Sequence, residues 1–135
     1  MALAKKIDHV AIAVRDLDTA VKTFTTNFGF GVDRMGELPA LNIRRAFLTI
    51  GDAALELFQP TCDTNPGAKF LAERGEGMYV LSLEVDDLDA AAAALAHKGI
   101  KMSVQNLPDA PRFGFISPKA THGVLLQLIE HPKSA

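Results

Sequence analysis

The chain has no tryptophan, one tyrosine and one cysteine in 135 residues. A lone cysteine excludes an intrachain disulfide framework. Cys62 sits in PTCDTNPG, without the second cysteine of a redox or zinc pair, so it reads as an incidental thiol. No apolar run approaches the roughly eighteen residues that a membrane-spanning helix needs. The opening MALAKKIDHV is too poor in apolar residues for a secretory leader, and the expected location is cytoplasmic. Nor is there an excess of either charge. Lys plus Arg number 14 against 16 for Asp plus Glu, and a net charge of -2 supplies no basic field for nucleic acid. Small molecules and protein partners remain. A hydrophobic content of 48% is ordinary for a chain of one-domain length that buries most of its apolar surface.

What the chain does have is an internal repeat, which constrains architecture more firmly than local propensity does. IDHVAIAVRDLDTAVKTFTTNFGF (residues 7–30) aligns with MYVLSLEVDDLDAAAAALAHKGI (78–100) at an offset of 71, with one residue fewer before the glycine. Both copies begin with period-2 alternation and switch to helical spacing, carried by Leu17, Val21, Phe24 and Phe28 and then by Leu88, Ala92 and Leu95. Asp16 and Asp87 suit the N-caps, and Gly29 and Gly99 the left-handed position after the helix. Strands FGVDRM, NIRRAFLTI and AALELFQ follow in the first copy, the last two joined by Gly51-Asp52 as a II′ hairpin turn. IKMSVQ, RFGFIS and GVLLQLIE answer them in the second.

The expected fold is therefore α+β: two pseudo-symmetric β-α-β-β-β modules, residues 6–60 and 78–131, whose curved sheets enclose a cavity within a single domain. Residues 61–77 form a linker with a short helix, Asn65 as its cap, Pro66 at its first position and Gly75 after its end.

In KIDHVAIAV the histidine occupies a strand. Alternation sends Val10, Ile12 and Val14 under the helix and His9, Ala11 and Ala13 to the opposite face. In AALELF the same parity puts Glu56 on the face of His9. The offset of 71 gives Val80 and Gln127 as their symmetry mates, with Ser82 and Glu84 following Val80. A histidine and a carboxylate from neighbouring strands form a recurrent metal-ligand pair, and an amide oxygen can add a third contact. Val80 cannot ligate. The pair can equally serve only each other, as a buried hydrogen bond.

The doubled pattern, with IDHVAIAV, AALELFQP, GEGMYVLSLEVDDLDAAAAAL and FISPKATHGVLLQLIE, resembles the vicinal oxygen chelate superfamily of glyoxalases, bleomycin-resistance proteins and ring-cleaving dioxygenases. Within it the chain looks most like the methylmalonyl-CoA epimerases, whose HPK…GVLxEL ending compares with SPKATHGVLLQL here. The resemblance implies a homodimer with a divalent ion (cobalt, nickel, manganese or zinc), held at the positions of His9, Glu56, Val80 and Gln127. Glu56 and Gln127 exchange carboxylate and amide relative to the family, and Val80 replaces a histidine, so the implied centre is altered or without metal.

The implied chemistry is proton transfer next to a thioester carbonyl, as in an acyl-CoA, with a metal polarising the carbonyl and carboxylates moving the proton. Glu37 and Glu56 are the carboxylates for that role. An enzyme of this kind would be an epimerase, or a glyoxalase-type lyase. The alternative is a metal-free protein that sequesters a small molecule, as bleomycin-resistance proteins do.

Around the site, Arg44 and Arg45 are adjacent in a strand, so at most one can share the face of His9; Arg44 is the candidate ligand contact. Arg112 and Lys119 flank the SPKATHG turn, where the resemblance places CoA phosphates. Phe58 and Glu84 complete the ligand-facing set. His122 is a substitute ligand for the missing histidine. His97 ends a helix as a solvated cation, and His131 is expected to be exposed.

Overall fold

The structure, a computed structural model, describes residues 2–108 and 110–133. Among them the order of elements is β1 (Lys6–Ala13), α1 (Leu17–Phe28), β2 (Gly31–Leu38), β3 (Ile43–Ile50), β4 (Ala53–Pro60), α2 (Pro66–Arg74), β5 (Gly77–Glu84), α3 (Leu88–His97), β6 (Met102–Gln105), β7 (Arg112–Ile116) and β8 (Leu126–Glu130). This is the β-α-β-β-β unit twice, with one helix between. Short 3-10 turns occupy Pro39–Leu41 and Pro118–Ala120. In the first copy β1 pairs β4 in parallel, and the antiparallel hairpins β2-β3 and β3-β4 complete the set. In the second β5 pairs β8 in parallel, followed by β8-β7 and β7-β6 antiparallel.

The repeat extends to individual hydrogen bonds. Asp16 caps α1 by accepting from the Thr19 N–H at 3.2 Å, and Asp87 caps α3 by accepting from the Ala90 N–H at 3.0 Å. A second donor at each helix start is satisfied from the last strand of the same copy. Gln59 Oε1 accepts from the Leu17 N–H at 2.9 Å, and Glu130 Oε1 from the Leu88 N–H at 2.8 Å. Both pairs obey the offset of 71. The exposed donors at a helix N-terminus need such partners, and these tie each helix to its own strands. Gly51 has φ 58 while Asp52 keeps a negative φ, as a II′ turn requires.

Each helix buries an apolar stripe on its strands. Leu17 packs with Val14, Ala46, Leu48 and Leu57 in one core, and Leu88, Ala91 and Leu95 pack with Val85, Ile116 and Leu128 in the other. The two compact units divide the chain differently from the repeat. One runs from His9 to Tyr79 and includes α2; the other comprises the chain up to Asp8 and from Val80 onward. Helix α2 joins the first unit because Tyr79 packs between Phe58 and Phe70, and because Asn65 Nδ2 donates to the Leu41 carbonyl at 2.6 Å.

Candidate functional site

In the unit from His9 to Tyr79, the parallel register of β1 and β4 sets His9 opposite Ala54 and Ala11 opposite Glu56. Partners in a ladder share a face, so His9 and Glu56 lie on the same side, with the two alanines leaving room between them. His9 Nε2 is 3.4 Å from Glu56 Oε1, and both residues are buried, at 5% and 7% exposure. The other carboxylate oxygen, Oε2, accepts from Arg45 Nη1, also at 3.4 Å. Both contacts exceed the 2.7–2.9 Å of strong charge-assisted bonds, so neither locks the carboxylate. Phe47 stands edge-on to the His9 ring at 5.5 Å. Two guanidiniums, of Arg34 at 4.4 Å and Arg45 at 5.1 Å from its centroid, attend the same phenyl ring.

The signal for Arg45 was present in the sequence. A two-residue turn at Gly51-Asp52 sets Ile50 opposite Ala53, and counting back sets Phe47 opposite Glu56 and Arg45 opposite Phe58. Arg45, Phe47, Glu56 and Phe58 thus share one face. Arg44 lies on the other, reaching Asp18 of α1 at 3.5 Å, so of the two arginines it is Arg45, not the expected Arg44, that shares the face of Glu56. Glu37 pairs across the ladder with Arg44 and is exposed. It faces away from His9 and Glu56, which removes it as a base at this face. Phe58 is on the expected face and buried at 5%, packed against Tyr79. That packing desolvates the Tyr79 hydroxyl and pushes its pKa up.

In the other unit, Ser82 lies opposite Gln127, which lies opposite Phe115. Ser82 Oγ and Gln127 Oε1 are buried without a hydrogen-bond partner. Leaving such a group unsatisfied costs about 1–3 kcal/mol, so each is an oxygen available to something else. Val80 is buried at 7% and offers only hydrocarbon. Glu84 is not a free ligand contact: Lys5 Nζ sits 3.5 Å from it and 2.7 Å from Asp86. The hydrogen bond to Asp86 raises the Lys5 ammonium and lowers the Asp86 carboxyl.

His131 is half-buried rather than exposed, because its Nε2 lies 2.6 Å from Asp8 Oδ1. Asp8, Glu84 and His131 bring three ligand atoms within 4.8 Å of one another, next to the Lys5 ammonium that already offsets Glu84.

Arg112 does not flank a free anion site. Nη1 and Nη2 donate to Asp89 of α3 at 3.2 and 2.8 Å, and Nε donates to Asn106 at 2.7 Å, so its fork is spent holding the helix. Lys119 is exposed in the second 3-10 turn, and His122 is exposed with φ 57. His97 ends α3, exposed, as expected. A cleft of about 290 Å³ in the first unit is lined by Val14, Arg15, Gln59, Cys62 and Leu71 among others, and does not include His9 or Glu56. Within it Cys62 Sγ lies 3.2 Å from Thr64 Oγ1, a hydrogen bond that lowers the thiol's pKa.

Residues 8–115 match the profile of the Glyoxalase/Bleomycin resistance protein/Dioxygenase superfamily. The mitochondrial methylmalonyl-CoA epimerase of Homo sapiens is 31% identical over 131 residues, covering 91% of this chain and 72% of that protein. The crystal structure of methylmalonyl-CoA epimerase from Mycobacterium tuberculosis superposes with a TM-score of 0.92 at 32% identity, over 98% of this chain and 92% of that one. A Streptomyces coelicolor methylmalonyl-CoA epimerase in complex with 2-nitronate-propionyl-CoA gives 0.89 at 31% identity, over 96% and 99%. With the doubled β-α-β-β-β fold and its paired histidine and glutamate, these likenesses establish that the chain belongs to the glyoxalase, bleomycin-resistance and dioxygenase superfamily, on its methylmalonyl-CoA epimerase side.

Proposed function

We propose that the protein moves a proton on the carbon next to the thioester carbonyl of an acyl-CoA. The observation that carries this reading is the buried His9–Glu56 pair, set 3.4 Å apart on one strand face of an epimerase-like chain. With Glu37 turned away, Glu56 is the carboxylate there that can accept a proton. In the step proposed, the C–H bond breaks, the proton passes to Glu56 Oε2, and the electron pair delocalises onto the thioester oxygen as an enolate. Return of a proton to the carbon regenerates the carboxylate. Burial of Glu56 removes competing water, and Arg45 stands beside Oε2 and His9 beside Oε1, each at 3.4 Å.

A divalent ion fits the donors that are present. The 3.4 Å between His9 Nε2 and Glu56 Oε1 is about the edge of a tetrahedron whose ligands lie about 2.1 Å from a metal. Gln127, which the resemblance adds to that ligand set, lies in the other unit, where its oxygen is buried without a hydrogen-bond partner. Bound there, cobalt, nickel, manganese or zinc would act as a Lewis acid on the carbonyl. Val80 lowers the ligand count, so this centre is an altered one.

The reading carries with it a single two-module domain, supported by the repeat, and a homodimer, supported by the family likeness. Among the described residues no helix is long and apolar enough to cross a membrane.

The test is deuterium uptake at the α-carbon of methylmalonyl-CoA and propionyl-CoA in heavy water, followed by mass spectrometry. Exchange should exceed the buffer rate and fall at least about 100-fold in Glu56→Gln, the lower end of what a positioned acid or base contributes. His9→Ala and chelation should also reduce it. No exchange by the native chain would end the enzymatic reading and leave ligand sequestration.

A further inference from the structure

We propose that Asp8, Glu84 and His131 form a divalent-metal site for a zinc-like ion, one that joins β1, β5 and the segment after β8. It shares no ligand with the His9–Glu56 pair and does not rest on the acyl-CoA reading.

The first support is convergence. All three residues belong to one compact unit, made of the chain up to Asp8 and from Val80 onward. Glu84 lies opposite Ile129 in the β5–β8 ladder, and His131 stands two residues beyond Ile129. Backbone bonds pin the segments that carry them: the Lys5 N–H donates to the Glu84 carbonyl and the Val85 N–H to the Ile129 carbonyl, both at 2.9 Å. Three ligand atoms, one from each side chain, thereby come within 4.8 Å of one another. Ligands about 2.1 Å from a zinc ion stand about 3.4 Å apart in a tetrahedron, so no pair has to move by more than about 1.4 Å to close on it.

The second is charge. The side chains of Asp8 and Glu84 are only 15% and 17% exposed. Neighbouring carboxylates drawn out of water cost free energy unless a cation offsets them. Glu84 shares its cation, because Lys5 Nζ is 3.5 Å from Glu84 but 2.7 Å from Asp86, which also feels Lys133. Lys5 is a loose stand-in for an ion. Its side chain is 49% exposed and flexible, and it can stay with Asp86 when a metal takes its place beside Glu84.

The donor types then name the ion. One imidazole nitrogen with two carboxylate oxygens is a borderline set that suits zinc, cobalt or manganese, whereas magnesium and calcium take oxygen ligands. Two carboxylates neutralise a divalent charge, and three protein ligands leave a fourth position for water. His131 Nε2 lies 2.6 Å from Asp8 Oδ1. On binding, the proton between them passes to Nδ1 or to solvent, and the Nε2 lone pair goes to the metal.

The experiment is calorimetric titration of zinc into the chelator-treated full chain, native and with Glu84→Gln, His131→Gln or Lys5→Met, alongside the ring-nitrogen resonances of the histidines. Native protein should take up at least one equivalent, with the His131 Nε2 resonance moving whether or not His9 responds. Glu84→Gln and His131→Gln should each weaken that event at least about tenfold. Lys5→Met, which removes the competing cation, should tighten it about threefold, the scale of an exposed ion pair. No response at His131, a response at His9 alone, or uptake indifferent to both Glu84→Gln and His131→Gln overturns the site. If either of those variants fails to fold, the native His131 resonance and Lys5→Met decide, since Lys5 is exposed and lies outside both cores: movement with tightening upholds the site, and neither ends it.

Discussion

Replacing Gly67 by alanine should destabilise the protein, although alanine is the better helix former. Gly67 is the second residue of α2 and is buried. A Cβ there would stand 2.5 Å from Phe58 Cε2, 2.8 Å from Asn65 Oδ1 and 3.0 Å from Phe58 Cζ, where carbon pairs prefer about 3.5–4.0 Å. Phe58 cannot give way freely, being 5% exposed and packed on Tyr79. The Asn65 oxygen is the helix cap and accepts from the Gly67 N–H at 2.6 Å. Overpacking costs about 1–3 kcal/mol and a damaged cap about 0.5–2, against at most about 1 gained from propensity. The net loss is about 0.5–4 kcal/mol, or roughly 2–14 °C in Tm for a chain of this size. Urea denaturation with an unchanged slope measures it. If Phe58 is the obstruction, adding Phe58→Leu should recover part of the loss, a non-additivity expected of touching residues. A neutral or stabilising Gly67→Ala, or a penalty indifferent to Phe58→Leu, would refute this account of how α2 is pinned beside the Glu56 face.

Two further outcomes follow from the same contacts. Gln59→Ala and Glu130→Ala should each cost about 0.5–2 kcal/mol by orphaning the Leu17 and Leu88 N–H groups, whereas Glu130→Gln keeps the acceptor and should lose only about 0.3–1 through the helix dipole; denaturant midpoints check all three, and silence at both positions would contradict the paired role. Hydrogen bonds from Arg112 hold the Asp89 carboxyl below its ordinary range, so the pair's contribution is complete above the unfolded value of about 3.9 and disappears as pH falls through the lower folded value. Arg112→Gln should therefore flatten the loss of stability with acid below about pH 4, by a small amount because both groups are exposed, and an unchanged acid profile would count against it.

The architecture was legible because the repeat supplied a check that propensity cannot. An offset of 71 predicted two strands, two helices and two caps, and it also relates Gln59 to Glu130 and Leu17 to Leu88, contacts that were not anticipated. Hydrophobic parity settled which face His9 and Glu56 would take, since the opposite face had to meet a helix. His131 was misjudged for the complementary reason. Its partner, Asp8, lies 123 residues away, and nothing local records such a contact. Gln127 was a candidate from symmetry alone. That its oxygen is buried without a partner depends on side chains from several strands and has no signature in sequence.

The arginines separate what was unread from what was unreadable. Arg44 and Arg45 cannot be told apart by composition, and a parity argument confined to β3 says only that they diverge. Coupled to the two-residue turn, the same parity becomes decisive: Ile50 opposite Ala53 forces Arg45 onto the face of Glu56 and Arg44 toward Asp18. Glu37 follows in turn, because the β2 ladder sets it opposite Arg44. That step was beyond the sequence, since β2 carries a bulge between Val32 and Arg34 and joins β3 through the 3-10 turn at Pro39–Leu41, neither of which fixes register in advance. The consequence reaches the chemistry. With Glu37 turned away and Arg45 in the place expected of Arg44, the described residues of that face set one carboxylate, Glu56, beside the guanidiniums of Arg34 and Arg45. On the proposed reading, a proton moved there by a carboxylate is moved by Glu56, with His9 and a guanidinium beside it.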